Sequence, residues 1–432
     1  MKHANVYRLI FPLATMFFLA AAGLSAADYD YGATFHNSSA MEKQVAGQDA
    51  ELDQLDSVAG WFEIAAPQAN GGRLSLAGQV AYEYADDRPF LVNLDYFRVY
   101  GWMPGALGGN SVLDYTVGRF VFADPSGYIM NHTADGAKVR LSSTSVVFEL
   151  SGAYTGLLLN PKSDIRMSAA DWSEKEDESN NFFGPRRVVA NASVAFPDLG
   201  KLQNLAVYAV GQFDMRPESD LVKINTEYLG LSVSKLYGSN VYGSFFLNAE
   251  LGQIQNPDAD TRMVAGMLLG LNLKYIRSDL KGSRFEFLLL AAPPDAATDL
   301  ISGINVGVVG YLPVSQPSLG INVQPQMNGL GLVELKYSMR PFMDSSDSIA
   351  SRFQAEVAGR GYFRTWSVGV NWIGTDPGSD SLYLGTEIEG GFTWRILSDV
   401  GVGLDSAVFL PASVVSESDK LWTIRMDVSV SL

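Results

Sequence analysis

From residue 421 to residue 432 every second side chain is apolar: Trp422, Ile424, Met426, Val428, Val430 and Leu432. Thr423, Arg425, Asp427, Ser429 and Ser431 stand between them. Successive side chains of a β-strand point to opposite faces, so this segment has one apolar face and one polar, charged face. The same period recurs upstream. Met263, Ala265, Met267, Leu269, Leu271 and Leu273 alternate with polar or small residues, as do Val241, Gly243, Phe245, Leu247, Ala249 and Leu251. Leu382, Leu384, Ile388, Phe392 and Trp394 repeat the pattern, followed by Val400, Val402, Leu404, Val408 and Leu410. A soluble strand is usually about 5–6 residues long, whereas a tilted strand crossing a membrane needs about 9–11. Runs of ten to thirteen residues favour the crossing.

Composition sharpens that choice. The chain is 47% hydrophobic and 11% aromatic, yet its mean hydropathy is only +0.06. Beyond residue 27 no apolar run reaches the roughly 18 residues of a transmembrane helix. Dispersed apolar residues of this kind predict an all-β fold, a single transmembrane antiparallel β-barrel with lipid outside and a wet lumen inside. Residues 1–27 predict a cleaved secretory signal peptide: Lys2 and Arg8, an apolar stretch at 9–22, then Gly23, Ser25, Ala26 and Ala27. Residues 28–432 then form one barrel domain, with no linker to divide them. There is no cysteine, which excludes disulfides and a cysteine-anchored lipoprotein. Loss of the leader moves the formal charge from −16 to −18, an acidic balance that argues against nucleic acid as a partner.

The terminal strand resembles the closing strands of bacterial outer-membrane β-barrel proteins, which end in an aromatic or aliphatic residue behind alternating apolar ones. Leu432 stands where Phe is more usual. The resemblance implies a porin-like protein in outer-membrane lipid, recognised through this strand by a barrel-assembly machinery. It also implies that both termini and the short turns face the periplasm, with longer loops outside. On that parity the connections 414–419, 374–380, 341–348, 157–184 and 37–57 fall outside. Those at 397–399, 359–361, 197–200 and 237–240 fall inside, giving about 20 strands within a range of 16–20. Residues 313–328 predict a long inner turn, a lumen insert or another hairpin. Residues 28–57 carry the alternative of an inward-folded plug. Trp61, Tyr100, Trp102, Tyr362, Trp366, Trp372, Trp394 and Trp422 suit an interfacial aromatic girdle.

Covalent chemistry has little to rest on. Only His36 and His132 remain beyond the leader, too few for a zinc site of three or four nitrogen or sulfur ligands, and no cofactor is expected. The acidic run at 171–178 lacks the ligand spacing of an EF-hand and predicts a solvated external loop. His36 and Ser38 resemble the catalytic pair of outer-membrane phospholipases in their spacing, but the Gly-Arg context after the Ser is missing. Residues 118–136 are the least generic connection. A Gly-Arg strand end followed by a loop is similar to the lumen-directed loops of substrate-specific channels.

The polar face is richer. With apolar residues outward, Lys138, Arg140, Glu149, Glu250, Arg284, Glu286, Glu334, Lys336, Glu356, Arg360, Glu387, Glu389, Arg395, Asp405, Arg425 and Asp427 line the inside. Charges at membrane depth are costly unless they meet water or each other, and mixed rings of charge let a pore sort solutes. The pattern therefore predicts a channel for passive or weakly selective passage of small hydrophilic solutes. Glu387, Glu389, Asp405, Arg425 and Asp427 would form a wall patch with weak cation preference. A non-conducting surface protein, adhesive or structural, is the alternative, followed by a phospholipase-like hydrolase. The sequence is compatible with a homo-oligomer.

Overall fold

The computed structural model describes residues 27–43, 49–85, 90–177, 182–200, 202–216, 222–255, 261–293, 306–345, 347–365, 379–415 and 420–432. Residues 1–26 of the expected leader at 1–27, Trp366, Trp372 and parts of the connections at 374–380 and 414–419 lie outside these residues.

Among the described residues nineteen strands follow one another: β1 (Asp28–Lys43), β2 (Glu51–Pro67), β3 (Arg73–Ala85), β4 (Leu91–Pro104), β5 (Val112–Ala123), β6 (Asn131–Ser142) and β7 (Val147–Tyr154). Next come β8 (Arg187–Leu199), β9 (Leu202–Asp214), β10 (Lys223–Tyr237), β11 (Val241–Gln255), β12 (Arg262–Arg277) and β13 (Ser283–Ala291). The series ends with β14 (Val306–Val309), β15 (Leu330–Met339), β16 (Phe353–Arg364), β17 (Tyr383–Arg395), β18 (Val400–Pro411) and β19 (Leu421–Ser431). β14 runs parallel to the start of β12 and stands outside the circuit. The other 18 pair antiparallel with their neighbours, β13 with β15, and β19 closes on β1 from Thr34↔Ser431 to Lys43↔Trp422. Closure leaves no unpaired sheet edge, which a barrel in lipid requires.

The alternation decides which face is which. On β19, Ile424 and Met426 are each 49% exposed on the outside, while Thr423 on the opposite face is 1% exposed. Leu229, Leu251 and Leu335 likewise stand outward, each about three-fifths exposed. An apolar exterior this extensive belongs against lipid rather than water.

Several expected boundaries move. The strand count is 18 rather than about 20; one of the expected turns is absent, because Gly359 and Gly361 lie inside β16. Both glycines are paired, with Leu335 and Val333 on β15, so the sheet passes through them. Removing that false turn brings the connection at 340–352 to the end that carries the chain termini, not the opposite end. Residues 37–57 are mostly strand, and 28–57 form β1, part of β2 and their hairpin rather than a plug.

Candidate functional site

Three connections at the end opposite the termini fold into the barrel. The first links β5 to β6. The Asp124 carboxylate accepts the backbone N–H of Ser126, Gly127, Ile129 and Met130 at 2.8–3.1 Å. Gly127 takes φ +73, the left-handed conformation that glycine adopts without steric cost. The turn drives Ile129 and Met130, both fully buried, into the interior. Arg119 lies inside β5 rather than at a strand end; it pairs with Asp135 on β6 and donates to the carbonyls of Leu94 and Leu157, tying the wall to the next connection.

The second links β7 to β8. It contains a helix, α1 (Ala169–Glu176), begun by a capping box between Ser168 and Asp171. Asp171 is no solvated loop residue: it is fully buried, with Arg187 at 2.6 Å and Arg216 at 3.2 Å. Asp214 completes the set, 3.5 Å from Arg187 and paired with Arg216. Two acids and two bases thus pin α1 to the ends of β8 and β9. Glu174, on the same helix, has its carboxyl raised above the usual range by burial, against the opposing pull of Arg216. Lys162 reaches Glu83 on β3 at 2.5 Å.

The third includes residues 310–329 and is the lumen insert, not a turn or a hairpin. Buried wall carboxylates grip its backbone. Glu250 accepts the Leu312 N–H at 2.7 Å, and Glu387 accepts those of Ile321 at 2.7 Å and Asn322 at 3.1 Å. Tyr362 donates to Glu387 and to the Leu319 carbonyl, and Thr423 donates to Asn322. The insert also donates from Val314 to Ile129 and from Gln316 to Asp164, so the three connections form one body.

That body is off centre. Its Ile129, Met130, Ile165, Met167, Tyr311, Val314 and Met327 share a buried core with Phe120, Val189, Tyr208, Leu268, Leu290, Tyr362 and Phe409 of the wall. Among the described residues, β1–β4 contribute nothing to it. The β1–β3 sector instead turns small side chains such as Ala40, Ala59, Ala77 and Ala81 inward. Trp61 lies over Gly32, where an added Cβ would come within 2.8 Å of the indole.

The inward charges divide into two groups. On the wall from β12 to β17 they are paired. Arg360 bridges Glu334 and Glu389, Lys336 holds Glu356 at 2.9 Å, and Glu286 takes both Arg284 at 2.7 Å and Lys274 at 3.2 Å. Glu387 is fully buried beneath the insert, so its charge faces backbone amides. At the seam Asp405 stands in register with Arg425, and Asp427 lies 3.4 Å from His36. Ser38 makes no hydrogen bond with His36 among the described residues. Arg395 sits exposed at the strand end, in register with Gly401.

On the facing wall, β4–β6, Arg119 is paired with Asp135, but three other cations form no ion pair among the described residues. Arg98 lies over the rings of Tyr96 and Tyr100, at 5.4 and 4.9 Å, and Lys138 lies over Phe120 at 5.6 Å. Neither they nor Arg140 forms an ion pair among the described residues. Glu149 is in register with Arg140 but not paired with it. Arg98 was not among the expected lumen residues, because the strand 91–104 carries aromatic residues on both faces and its polarity is ambiguous. Tyr100 and Trp102 follow from the same ambiguity. With Trp61 and the fully buried Tyr362, they point inward rather than into a girdle at the lipid boundary.

No family model and no curated protein matches the chain, but solved structures do. OccK2 (OpdF) of Pseudomonas aeruginosa, in complex with glucuronate, superposes with a TM-score of 0.58 at 13% identity, over 94% of this chain and 98% of that one. The outer membrane protein OpdK of the same organism gives 0.55 at 11%, over 94% and 99%. Acinetobacter baumannii OccAB4 gives 0.55 at 9%, over 94% and 99%. The chain therefore has the closed, porin-like barrel fold of these bacterial outer-membrane proteins.

Proposed function

We propose that this protein is an outer-membrane channel for small hydrophilic solutes, with its path along the β1–β6 sector and a preference for anions. The carrying observation is that Arg98, Lys138 and Arg140 face the interior and form no ion pair among the described residues, although Asp114 and Glu149 stand in register with Arg140. Cations that line a wet lumen unpaired attract anionic solutes, whereas paired ones spend their field on each other. This reading replaces the cation preference expected from Glu387 and Glu389, because the first is sealed under the insert and the second is bound by Arg360. The apolar exterior and the likeness to outer-membrane barrels, one of them holding glucuronate, support the same reading. Export by a leader cleaved after residue 27 and assembly through β19 belong to it, as does the option of a homo-oligomer.

The test is conductance of the purified barrel in a planar bilayer, with reversal potential measured in a potassium chloride gradient. Steady current with an anion-selective sign is expected. No current would favour a surface protein that binds through its loops, and a cation-selective sign would remove the β4–β6 wall as the filter.

A further inference from the structure

We propose that the outer face of β1 and β2 is a contact surface for a second copy of this chain, met about a two-fold axis along the membrane normal. The inference rests on the membrane setting of the reading above and not on conduction. The closing strand supplies a ruler. From Leu432 up to Trp422 the outward positions of β19 are all apolar. At a rise of about 3.3 Å per residue and a tilt of about 40° this run climbs about 25 Å, the height of the lipid-facing band of such barrels. The outward face of β1, in register beside it, breaks the pattern. Asn37 stands opposite Val428 and Ser39 opposite Met426, in the middle of the run. The next positions across, on β2, are Asp56 and Gln54. Their direction follows from their neighbours. Phe35, Met41, Leu52 and Val58 share their face and are 43–69% exposed, whereas Ala40 and Ala59 on the opposite face are buried.

These four residues form a polar island at mid-height in the band. The Asn37 amide donates to one oxygen of Asp56 at 2.6 Å, and the Gln54 amide donates to the other at 2.8 Å. Asp56 has no ion-pair partner among the described residues. Acyl chains offer a carboxylate neither water nor a hydrogen bond, and a charge there is costly unless a polar surface covers it. A second copy is the cover whose chemistry matches. Each amide carries two N–H groups and an oxygen, and only one N–H of each is spent on Asp56. The island therefore keeps donors, with the Ser39 hydroxyl among them, and acceptors on the amide and carboxylate oxygens. A patch with both is self-complementary, as a two-fold contact requires. Copies inserted in the same direction bring the two islands together at the same depth, whereas a lipid headgroup would have to leave the interface to reach them. Beside the island the surface is hollow. Ala33 pairs with Gly60 between the pairs Phe35–Val58 and Tyr31–Phe62, and a Cβ added at Gly60 would meet nothing within 4 Å. Small residues of this kind let two membrane-embedded surfaces approach closely.

The chain has no cysteine, so single-cysteine variants of the full-length barrel report the contact directly. In outer-membrane vesicles treated with copper phenanthroline, Ser39→Cys and Gln54→Cys should each give a disulfide-linked species of twice the barrel mass. Leu251→Cys, outward on β11 across the 18-strand ring, should stay single. Light scattering of the native barrel in mild detergent should give the protein mass of two copies. Asn37→Leu/Asp56→Leu should halve it and keep the heat-resistant fold, because an apolar outward face suits a strand in lipid. If that variant does not fold, the cross-links decide alone. Absence of a cross-link at both positions, a linked product of any other mass, or a two-copy mass that survives the double substitution would overturn the proposal. Linked pairs that pass no current would leave the contact standing and remove the channel reading instead.

Discussion

Two walls of one barrel carry the same kinds of residue and use them differently. From β12 to β17, Lys274, Arg284, Lys336 and Arg360 each meet a glutamate. On β4–β6, Arg98, Lys138 and Arg140 meet aromatic rings or water. At Arg360, Glu334, Glu389 and Glu387 the difference follows from what lies in front of the wall, whereas Lys274, Arg284 and Lys336 are paired while still part-exposed. Where the inward connections press against the wall, water is displaced, and a charge there must be paired or hydrogen-bonded to be tolerated. Beside β1–β6 the wall turns small, aromatic and polar side chains inward, and an exposed cation there keeps its hydration. A pore can therefore be read by asking which charges lack partners, and the largest charge clusters are then scaffold.

The sharpest way to break this comparison is at the scaffold. Arg187→Met leaves Asp171 and Asp214 buried with only Arg216 between them, and breaking such a buried set costs about 3–5 kcal/mol. The expected outcome is release of α1 from the wall, seen as larger single-channel conductance and as protease cleavage within 155–186, with the barrel still closed. A native conductance and protease pattern would mean that apolar packing alone holds the helix.

A smaller effect is expected from Arg360→Gln. It frees Glu334 and Glu389, which sit on the inward face with about one-seventh of their side chains exposed. The reversal potential should move towards cations, because two carboxylates gain access to water at once. No change would show that the insert screens them as it screens Glu387.

Lys138→Gln/Arg140→Gln should leave heat-resistant folding of the barrel intact, since neither residue is ion-paired. Anion preference should drop several-fold at low salt. The difference should vanish in 1 M salt, where the Debye length is about 3 Å. A drop that persists there would place these residues in direct contact with the permeating ion.

The smallest effect belongs to Glu387→Gln. The amide oxygen can still accept the N–H groups of Ile321 and Asn322, and Tyr362 can reorient towards Leu319. Selectivity should stay within experimental error. A clear shift would return Glu387 to the filter and restore the cation patch expected from sequence.

The strand period alone specified the barrel. Side chains on β19 alternate with a period of two, and lipid on one side and water on the other leave a single consistent assignment of faces. Strand boundaries were less legible. Gly359 and Gly361 look like a turn because glycine favours turns, yet between paired neighbours they extend one strand. Aromatic residues were ambiguous for a related reason: Trp102 and Tyr362 suit a lipid interface or a lumen equally well by composition. Only the register, which sets them beside Arg73 and Leu332, turns them inward. What the sequence determined was thus local and periodic: strands, faces and an interior rich in charge. What the tertiary structure decided was which of those charges remain available. Asp171 and Arg187 are 16 positions apart, and Glu387 is 66 from Ile321. Pairings over such distances depend on how the inward connections pack, and no period along the chain encodes that.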